Sequence, residues 1–288
     1  GYTTKIEKDV VISTWQSIYK MPRKYFDQFG CVIGDEAHMF KAKSLTGIMT
    51  KMHHCKYRFG LTGTLDGTQT HQLVLEGLFG AVEKVVTTKQ LIDKNTLAKL
   101  KIKCVILKHQ EIREKMTYAE ELEYLVTNEK RTDFVVNLLR HLNGNTLCLF
   151  QLVEKHGKIL NDKMKGSENV YFVYGGTDTS EREKIRGLVE KHTKSTTIAS
   201  YGTFSTGINI RNIHNIVLAS PSKSKIRVLQ SIGRGLRTSS DKDSVLVYDI
   251  ADDISYNERR NFTLNHFTER LNIYNEEQFD YDISKVKL

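Results

Sequence analysis

Cys31-Val32-Ile33-Gly34-Asp35-Glu36-Ala37-His38 runs from three apolar residues directly into two carboxylates. The apolar run predicts a buried strand that ends at Asp35, and open α/β sheets bind ligands at the carboxyl ends of their strands. An Asp at such an end can hold Mg²⁺ through water, while the next Glu can orient or deprotonate a water that attacks a γ-phosphate. The alternative is a solvated Asp-Glu pair at a helix N-terminus, which is common after strands.

A second stretch, Gln230-Ser231-Ile232-Gly233-Arg234-Gly235-Leu236-Arg237, carries positive charge on a helix predicted to start near Lys225. Two arginines three residues apart on a helix share one face and can reach the same phosphate. The alternative is an exposed arginine pair on a basic protein. The two glycines argue against it, because each costs a helix about 1 kcal/mol. They indicate that the backbone passes close to another group.

The rest of the chain alternates short apolar runs with segments of helical periodicity, such as Ser44–Met52, Glu154–Lys163 and Glu181–Glu190. This alternation predicts the α/β class with parallel sheets. The predicted strands are Val10–Ile12, Cys31–Asp35, Tyr57–Leu61, Val82–Val86, Ile102–Leu107, Thr146–Phe150, Val170–Val173, Thr196–Ser200, Asn215–Leu218 and Val245–Ile250.

A polar segment at Lys108–Lys115 predicts a boundary between two domains, which comprise residues 1–110 and 111–275. Two helices predicted at Tyr118–Thr127 and Lys130–Leu142 open the second domain, and an amphipathic helix at Asn257–Tyr274 closes it. The tail, residues 276–288, has no motif that we can interpret.

Composition favours an intracellular protein with a polyanionic partner. The 288 residues carry a formal net charge of +9, which favours nucleic acid as the partner. Four cysteines without a CxxC pair indicate reduced thiols, and His53-His54-Cys55 has no second ligand cluster, so we expect no zinc site. There is no signal peptide and no apolar stretch of the ~18 residues that span a bilayer. We therefore expect a cytoplasmic protein.

Two further segments combine glycines with hydroxyls directly after predicted strands. Leu61-Thr62-Gly63-Thr64-Leu65 forms a compact turn that could touch His38. Ala199–Asn209 contains Ser and Thr side chains whose hydroxyls, with free backbone N–H groups, suit phosphate contacts. An ordinary loop would have the same composition, so each segment alone is weak evidence.

Taken in order, these stretches resemble the motifs of the superfamily-two helicases. Asp35–His38 matches the Walker B motif II, Leu61–Leu65 motif III, and Ser13–Ser17 a motif of the first domain that touches the nucleic-acid strand. In the second domain the matches are Leu147–Gln151 to motif IV, Thr203–Asn209 to motif V and Gln230–Arg237 to motif VI, with Tyr174–Glu183 matching the Gly-Gly…Arg-Glu segment before motif V. The resemblance covers about residues 10–250 and is nearest to phage helicases close to the repair type.

The resemblance implies two RecA-like domains with ATP and Mg²⁺ at their interface, completed when the cleft closes. It implies Asp35 as the Mg²⁺ ligand through water, Glu36 as the base, and His38 with Thr62 and Thr64 as a relay. It further implies that Arg234 and Arg237 stabilise the phosphate charge and that Gln230 positions water or nucleotide. Gly207 and Asn209 would link the second domain to both the phosphates and the nucleic-acid strand.

The nucleic-acid strand is expected to be held mainly through its phosphates. The residues expected to hold it are Thr14, Gln16, Ser200, Thr203 and Thr206. The resemblance implies a monomer acting on single-stranded and branched DNA and on RNA in DNA–RNA hybrids.

The sequence departs from the family at one point, because it has no Gly-x-x-x-x-Gly-Lys-Ser/Thr. We therefore expect that the chain begins partway through the first RecA-like domain, and that the 288 residues alone do not turn over ATP. Rival interpretations are a translocating subunit of a restriction enzyme, an RNA helicase, a binding module with an inactive ATPase, and a metabolic nucleotide-binding enzyme.

Overall fold

The computed structural model describes residues 8–63, 65, 69–110, 114–203, 210–221, 224–237, 242–257 and 259–288. The chain divides into two compact units, residues 1–85 and 86–288. In both units the strands pair in parallel. This confirms the predicted α/β class with parallel sheets.

The first unit is built on a two-stranded parallel sheet. Its elements are α1 (Trp15–Ile18), α2 (Arg23–Phe26), β1 (Cys31–Gly34), a 3₁₀ helix (Ala37–Lys41), α3 (Lys43–Lys51), β2 (Tyr57–Gly60) and α4 (Gln69–Phe79). Strand β1 pairs with β2 so that Gly34 lies opposite Gly60. Helix α3 buries Leu45, Ile48 and Met49, whose helical spacing puts them on one face against α2 and α4.

The second unit has a seven-stranded parallel sheet in the order β5-β6-β4-β7-β8-β3-β9. Its first half comprises α5 (Thr88–Asp93), β3 (Lys99–Lys108), α6 (Tyr118–Thr127), α7 (Glu129–His141), β4 (Asn145–Phe150), a π-helical turn (Val153–Gly157), α8 (Lys158–Lys163) and β5 (Val170–Val173). Its second half comprises α9 (Thr179–Val189), β6 (Ser195–Ser200), β7 (Asn215–Leu218), α10 (Lys225–Gly235), β8 (Ser244–Asp253), α11 (Phe262–Glu276) and β9 (Tyr281–Lys287).

Two hydrophobic clusters cover the two faces of this sheet. Strand β4 alternates between them, with Leu147 and Leu149 in one and Cys148 and Phe150 in the other. Side chains of α9, α10 and α11 fill the first cluster, and those of α7 and α8 fill the second. Every residue of β4, β6 and β7 is buried, as expected for central parallel strands with helices on both faces.

The division into units differs from the predicted boundary at residue 110. Strand β3 hydrogen-bonds with β8 along its whole length and with β9 from Ile102 to Lys108, so it belongs to the second sheet. The predicted tail 276–288 is likewise part of this unit, because β9 is its edge strand. The predicted strands Val10–Ile12 and Val82–Val86 have no strand structure. Their apolar residues are largely exposed, so burial does not select the extended form.

Buried ion pairs hold the strand ends and helices of the second unit together. The Arg270 guanidinium donates to both carboxylate oxygens of Asp249, at 2.7–3.0 Å, and the Tyr274 hydroxyl donates to Asp249 Oδ2 at 2.8 Å. Both charged side chains are at most 2% exposed. This pair joins α11 to the middle of β8. Among the described residues no helix has the length and apolarity to cross a membrane.

Replacing Arg270 by Met should strongly destabilise the second unit, since Asp249 would remain buried without its cation. We expect the free energy of unfolding in urea to fall by about 3–5 kcal/mol. The matched control is Lys155→Met, which removes an exposed pair with Glu123 and should cost less than about 1 kcal/mol. Equal losses in the two variants would contradict this account.

Candidate functional site

Asp35 and Glu36 follow directly after β1 and form a tight turn. Both side chains are exposed, and Asp35 Oδ1 accepts a hydrogen bond of 2.9 Å from the Glu36 N–H. Glu36 has φ 49° and ψ 49°, in the left-handed region that non-glycine residues rarely adopt. Such strain persists only where surrounding contacts hold it, and it concentrates at functional sites.

Main-chain hydrogen bonds fix this turn against the segment that follows β2. The Leu61 N–H donates to Gly34 O and the Ala37 N–H donates to Leu61 O, each at 2.8 Å. His38 is 6% exposed, and its Nδ1 lies 3.0 Å from Thr62 Oγ1 and 3.2 Å from Glu36 Oε2. A carboxylate, an imidazole and a hydroxyl therefore meet at the carboxyl ends of two neighbouring strands.

The predicted contact between the Leu61–Leu65 segment and His38 is confirmed at Thr62, whereas Thr64 lies outside the described residues. Sequence reasoning missed the left-handed turn at Glu36. It also missed the two glycines that end the strands. A Cβ at Gly34 would lie 2.8 Å from Phe40 Cζ, and one at Gly60 2.9 Å from the Phe79 ring. The available signal was a glycine at the end of each predicted strand.

The acidic pair fits a magnesium ion that arrives with a nucleotide. Mg²⁺ is usually held by one or two carboxylates plus substrate phosphates and waters, and Asp35 offers an exposed carboxylate at a strand end. In the part of the chain that the structure describes, no cluster of three or more His, Cys, Asp or Glu residues could form a protein-only metal site. Asp35 is the residue that would hold the ion, through water.

The arginine-bearing segment lies at the end of α10 in the second unit. The helix stops at Gly235, so half-buried Arg234 is in its last turn and exposed Arg237 lies two residues beyond it. The prediction that both arginines lie on one helix is therefore wrong for Arg237. Half-buried Gln230 is one turn before Arg234.

The two glycines of this segment behave differently. A Cβ at Gly235 would lie 2.5 Å from Ile216 Cδ1, so the helix end packs tightly against β7, as the glycine predicted. At Gly233 a Cβ would have no neighbour within 4 Å, so the close approach expected there is absent from the described structure.

The described hydroxyls at the end of β6 and directly after it lie inside the fold. Ser200 and Thr203 are 8% and 4% exposed, and Ser200 Oγ lies 2.7 Å from Thr203 Oγ1. Their burial does not favour the predicted direct contact with a phosphate. Thr206, Gly207 and Asn209 lie outside the described residues. In the first unit Thr14 and Gln16 are exposed, at the cap and in the first turn of α1, where a strand could reach them.

A buried polar cluster that the sequence did not reveal holds the carboxyl ends of β4 and β7. Ser220 Oγ accepts a hydrogen bond of 3.0 Å from the Gln151 N–H and lies 2.9 Å from His156 Nδ1. The Tyr201 hydroxyl donates to Ser220 O at 3.2 Å. Burial, and then the nearby Arg131 charge, lower the pKa of His156 to about 3. The imidazole is therefore neutral at physiological pH.

Two parts of the chain match known protein families. Residues 129–239 match the family model described as helicase conserved C-terminal domain, and residues 1–67 match that of the type III restriction enzyme res subunit. The chain is 35% identical over 302 residues to the ATP-dependent DNA helicase uvsW of Enterobacteria phage T4. The match covers 99% of this chain and 60% of the phage protein, so the chain spans somewhat more than half of that relative.

Solved structures give the same fold. The crystal structure of T4 UvsW is similar with a TM-score of 0.57 at 34% identity, covering 95% of this chain and 57% of that one. The type ISP restriction-modification enzyme LlaBIII bound to DNA is similar with a TM-score of 0.63 at 12% identity, covering 95% of this chain and 23% of that one. The latter similarity concerns the fold alone.

The buried His156 should make the stability of the second unit depend on pH. In the unfolded chain its imidazole takes up a proton near pH 6.5, whereas in the folded chain it does so only near pH 3. Stability is therefore lost as pH falls between these values, by up to about 1.4 kcal/mol per pH unit. When the free energy of unfolding in urea is measured between pH 4 and 7, it should change less with pH for His156→Asn than for the wild type. The control His141→Asn, which replaces an exposed histidine, should keep the wild-type dependence of stability on pH. A weaker dependence in this control as well would contradict the assignment of the effect to His156.

Proposed function

We propose that this chain, which belongs to the superfamily-two helicases, forms the hydrolytic and strand-binding parts of an ATP-dependent DNA helicase. The observation that carries the proposal is the 35% identity to an ATP-dependent DNA helicase along 99% of the chain. The exposed acidic turn at the end of β1 supports it, because that is the place where such a protein needs carboxylates.

We assign the chemistry of the first unit as follows. Glu36 is the base that takes a proton from the attacking water, because its carboxylate is exposed beside the strand end. The His38 imidazole, 3.2 Å from Glu36 Oε2 and 3.0 Å from Thr62 Oγ1, orients that carboxylate. Asp35 would bind Mg²⁺ through water, and the ion when bound neutralises phosphate charge.

In the second unit, Arg234 and Arg237 are proposed to stabilise negative charge on the phosphates, with Gln230 positioning water or nucleotide. Arginine suits this role because its planar guanidinium can bind two phosphate oxygens at once. Arg237 is exposed beyond the end of α10, on the solvent side of the helix end where the proposed ligand would bind. Gly207, Asn209 and Thr64 keep their predicted roles as proposals.

The proposed substrate is DNA, single-stranded and branched, together with DNA–RNA hybrids, in recombination and repair. Support comes from the net charge of +9 and from the exposed Thr14 and Gln16. We propose that a monomer suffices. Contacts with phosphates would make binding weaken steeply with salt.

A second candidate is the translocating subunit of a restriction-type enzyme. It is favoured by the match of residues 1–67 to the res subunit model. The two functions separate in assays of the complete gene product. A helicase displaces a strand from a forked duplex, whereas a translocase that does not unwind displaces only a third strand from a triplex. DNA, RNA and hybrid forks should be compared side by side.

Glu36→Gln in the complete gene product should abolish ATP turnover while leaving nucleotide binding intact, because the amide cannot accept the proton from water. The measurement is phosphate release with and without forked DNA, beside ATP binding by calorimetry. DNA-stimulated release in the wild type that is lost in the variant is the expected result. Unchanged turnover would remove Glu36 from the role of base. No hydrolysis in the wild type would favour a binding module with an inactive ATPase.

The 288 residues alone should show no ATP turnover, because they contain no glycine-rich phosphate loop with its lysine. The purified chain should nevertheless retain salt-sensitive binding to single-stranded DNA. Phosphate release stimulated by DNA, above that of a Glu36→Gln control preparation, would refute this expectation.

A further inference from the structure

Lys242 is a buried cation in the second unit that no motif accounts for. Lys242 is only 3% exposed. Lysines are rarely buried in this way without an anionic partner. It forms no ion pair with the residues that the structure describes. Instead its ammonium group donates to two backbone carbonyls, those of Gly235 and, at 3.0 Å, Arg211.

These carbonyls lie in or next to the two segments of this unit that resemble helicase motifs, Gln230–Arg237 and Thr203–Asn209. Gly235 is the last residue of α10 and belongs to the Gln230–Arg237 segment. Arg211 lies two residues after the Thr203–Asn209 segment. The final carbonyls of a helix lack partners within the helix, and the negative end of the helix dipole favours a cation there. Lys242 thus connects the end of one segment to the residue that follows the other.

Other contacts fix the same helix end. Gly235 packs against Ile216 of β7 so closely that a Cβ would lie 2.5 Å from Ile216 Cδ1. The Ala98 N–H donates to Leu236 O at 2.9 Å, which joins the chain just before β3 to the residue after the helix. The direction in which Arg237 leaves the helix therefore depends on where these groups hold residues 235 and 236.

We propose that Lys242 is a positioning residue, which holds the end of α10 against the backbone at Arg211 and so sets the placement of Arg237. This inference rests on the proposed function for the role of Arg237, but the restraint on the helix end does not. Burial lowers the pKa of Lys242 to about 8, so the amine still carries its charge at neutral pH. The group can then serve both carbonyls as a cation.

Hydrogen exchange on the 288-residue chain tests the restraint without any enzymatic activity. Lys242→Met keeps the length of the side chain and removes the donor. We expect the Leu236 and Ala98 amides, which bond to Ile232 O and Leu236 O, to exchange at least about tenfold faster, as locally destabilised segments do. The Glu190 amide at the end of α9 should be unchanged. Lys242→Arg, which keeps a cationic donor, should restore much of the protection.

The matched control is Lys194→Met, because Lys194 also donates to a backbone carbonyl, that of Arg140, but on the surface. It should leave the Leu236 and Ala98 amides unchanged. Equal exchange at these amides in wild type and Lys242→Met would overturn the proposal. If Lys242→Met does not fold, the same comparison is made with Lys242→Arg, together with the crystal structure of that variant. A helix end that has moved while its amides stay protected supports the proposal. Wild-type exchange in an Arg variant that has lost both carbonyl contacts overturns the proposal.

A double-mutant cycle in the complete gene product then tests the link to Arg237. Lys242→Met should lower kcat about tenfold or more with little change in KM for ATP, since misplacing a group by about 1 Å can cost about 10²-fold. In an Arg237→Ala background it should have little further effect. Additive losses would mean that Lys242 does not act through Arg237. Absence of turnover in the wild type would refute the proposed function, while hydrogen exchange would still decide the restraint.

Discussion

Asp252 and Arg131 form an ion pair with no exposure to solvent, and the carboxyl end of the large sheet depends on it. Arg131 Nε donates to Asp252 Oδ1 at 2.8 Å, while its Nη2 donates to Ala219 O at the end of β7. His109 Nε2 lies 2.9 Å from the same Asp252 oxygen. Burial raises the pKa of Asp252, but the Arg131 charge and the hydrogen bonds from His109 and Arg131 outweigh it, so the net pKa is lowered. The carboxylate therefore stays charged, and α7, β7 and β8 are joined at one point.

The two units hold the carboxyl ends of their strands by different physical means. In the second unit, buried charges and hydroxyls connect strand ends, as in the contact of His156 with Ser220. In the first unit, backbone hydrogen bonds join Gly34 to Leu61 and Leu61 to Ala37, with aromatic rings packed on the glycines. Backbone bonds and close packing leave the acidic side chains of the first unit exposed, as their proposed contact with water and ligand requires.

The strand ends and the acidic pair could be predicted because both follow from local pattern. An apolar run that stops at Asp35 indicates where the strand ends, and the α/β alternation indicates that neighbouring strands are parallel. The burial predicted for this strand is wrong, because Cys31 and Ile33 of β1 are exposed. The left-handed backbone of Glu36 could not be predicted, since no glycine marks it. The placement of Arg237 beyond α10 was also missed, because helix ends are the least certain part of a periodic pattern.

The sequence did not predict that β3 and β9 belong to the second sheet, for a different reason. A strand's own sequence shows which of its faces are apolar but does not name its partners. Strand β3 comes just before the polar segment at which the boundary is predicted. Its partners, β8 and β9, lie more than a hundred residues later in the chain. Strand β9 alternates weakly, with exposed lysines, as edge strands often do.

The position of β3 between β8 and β9 has a consequence for synthesis of the chain. Lys99 pairs with Ser244, and Ile102 with Tyr281, so β3 leaves the ribosome long before either partner exists. Its apolar run at Val105, Ile106 and Leu107 must wait unpaired while the intervening strands and helices are made. Such non-local pairing slows folding and exposes strand edges to aggregation. The large sheet can only be completed after translation has reached the last residues of β9.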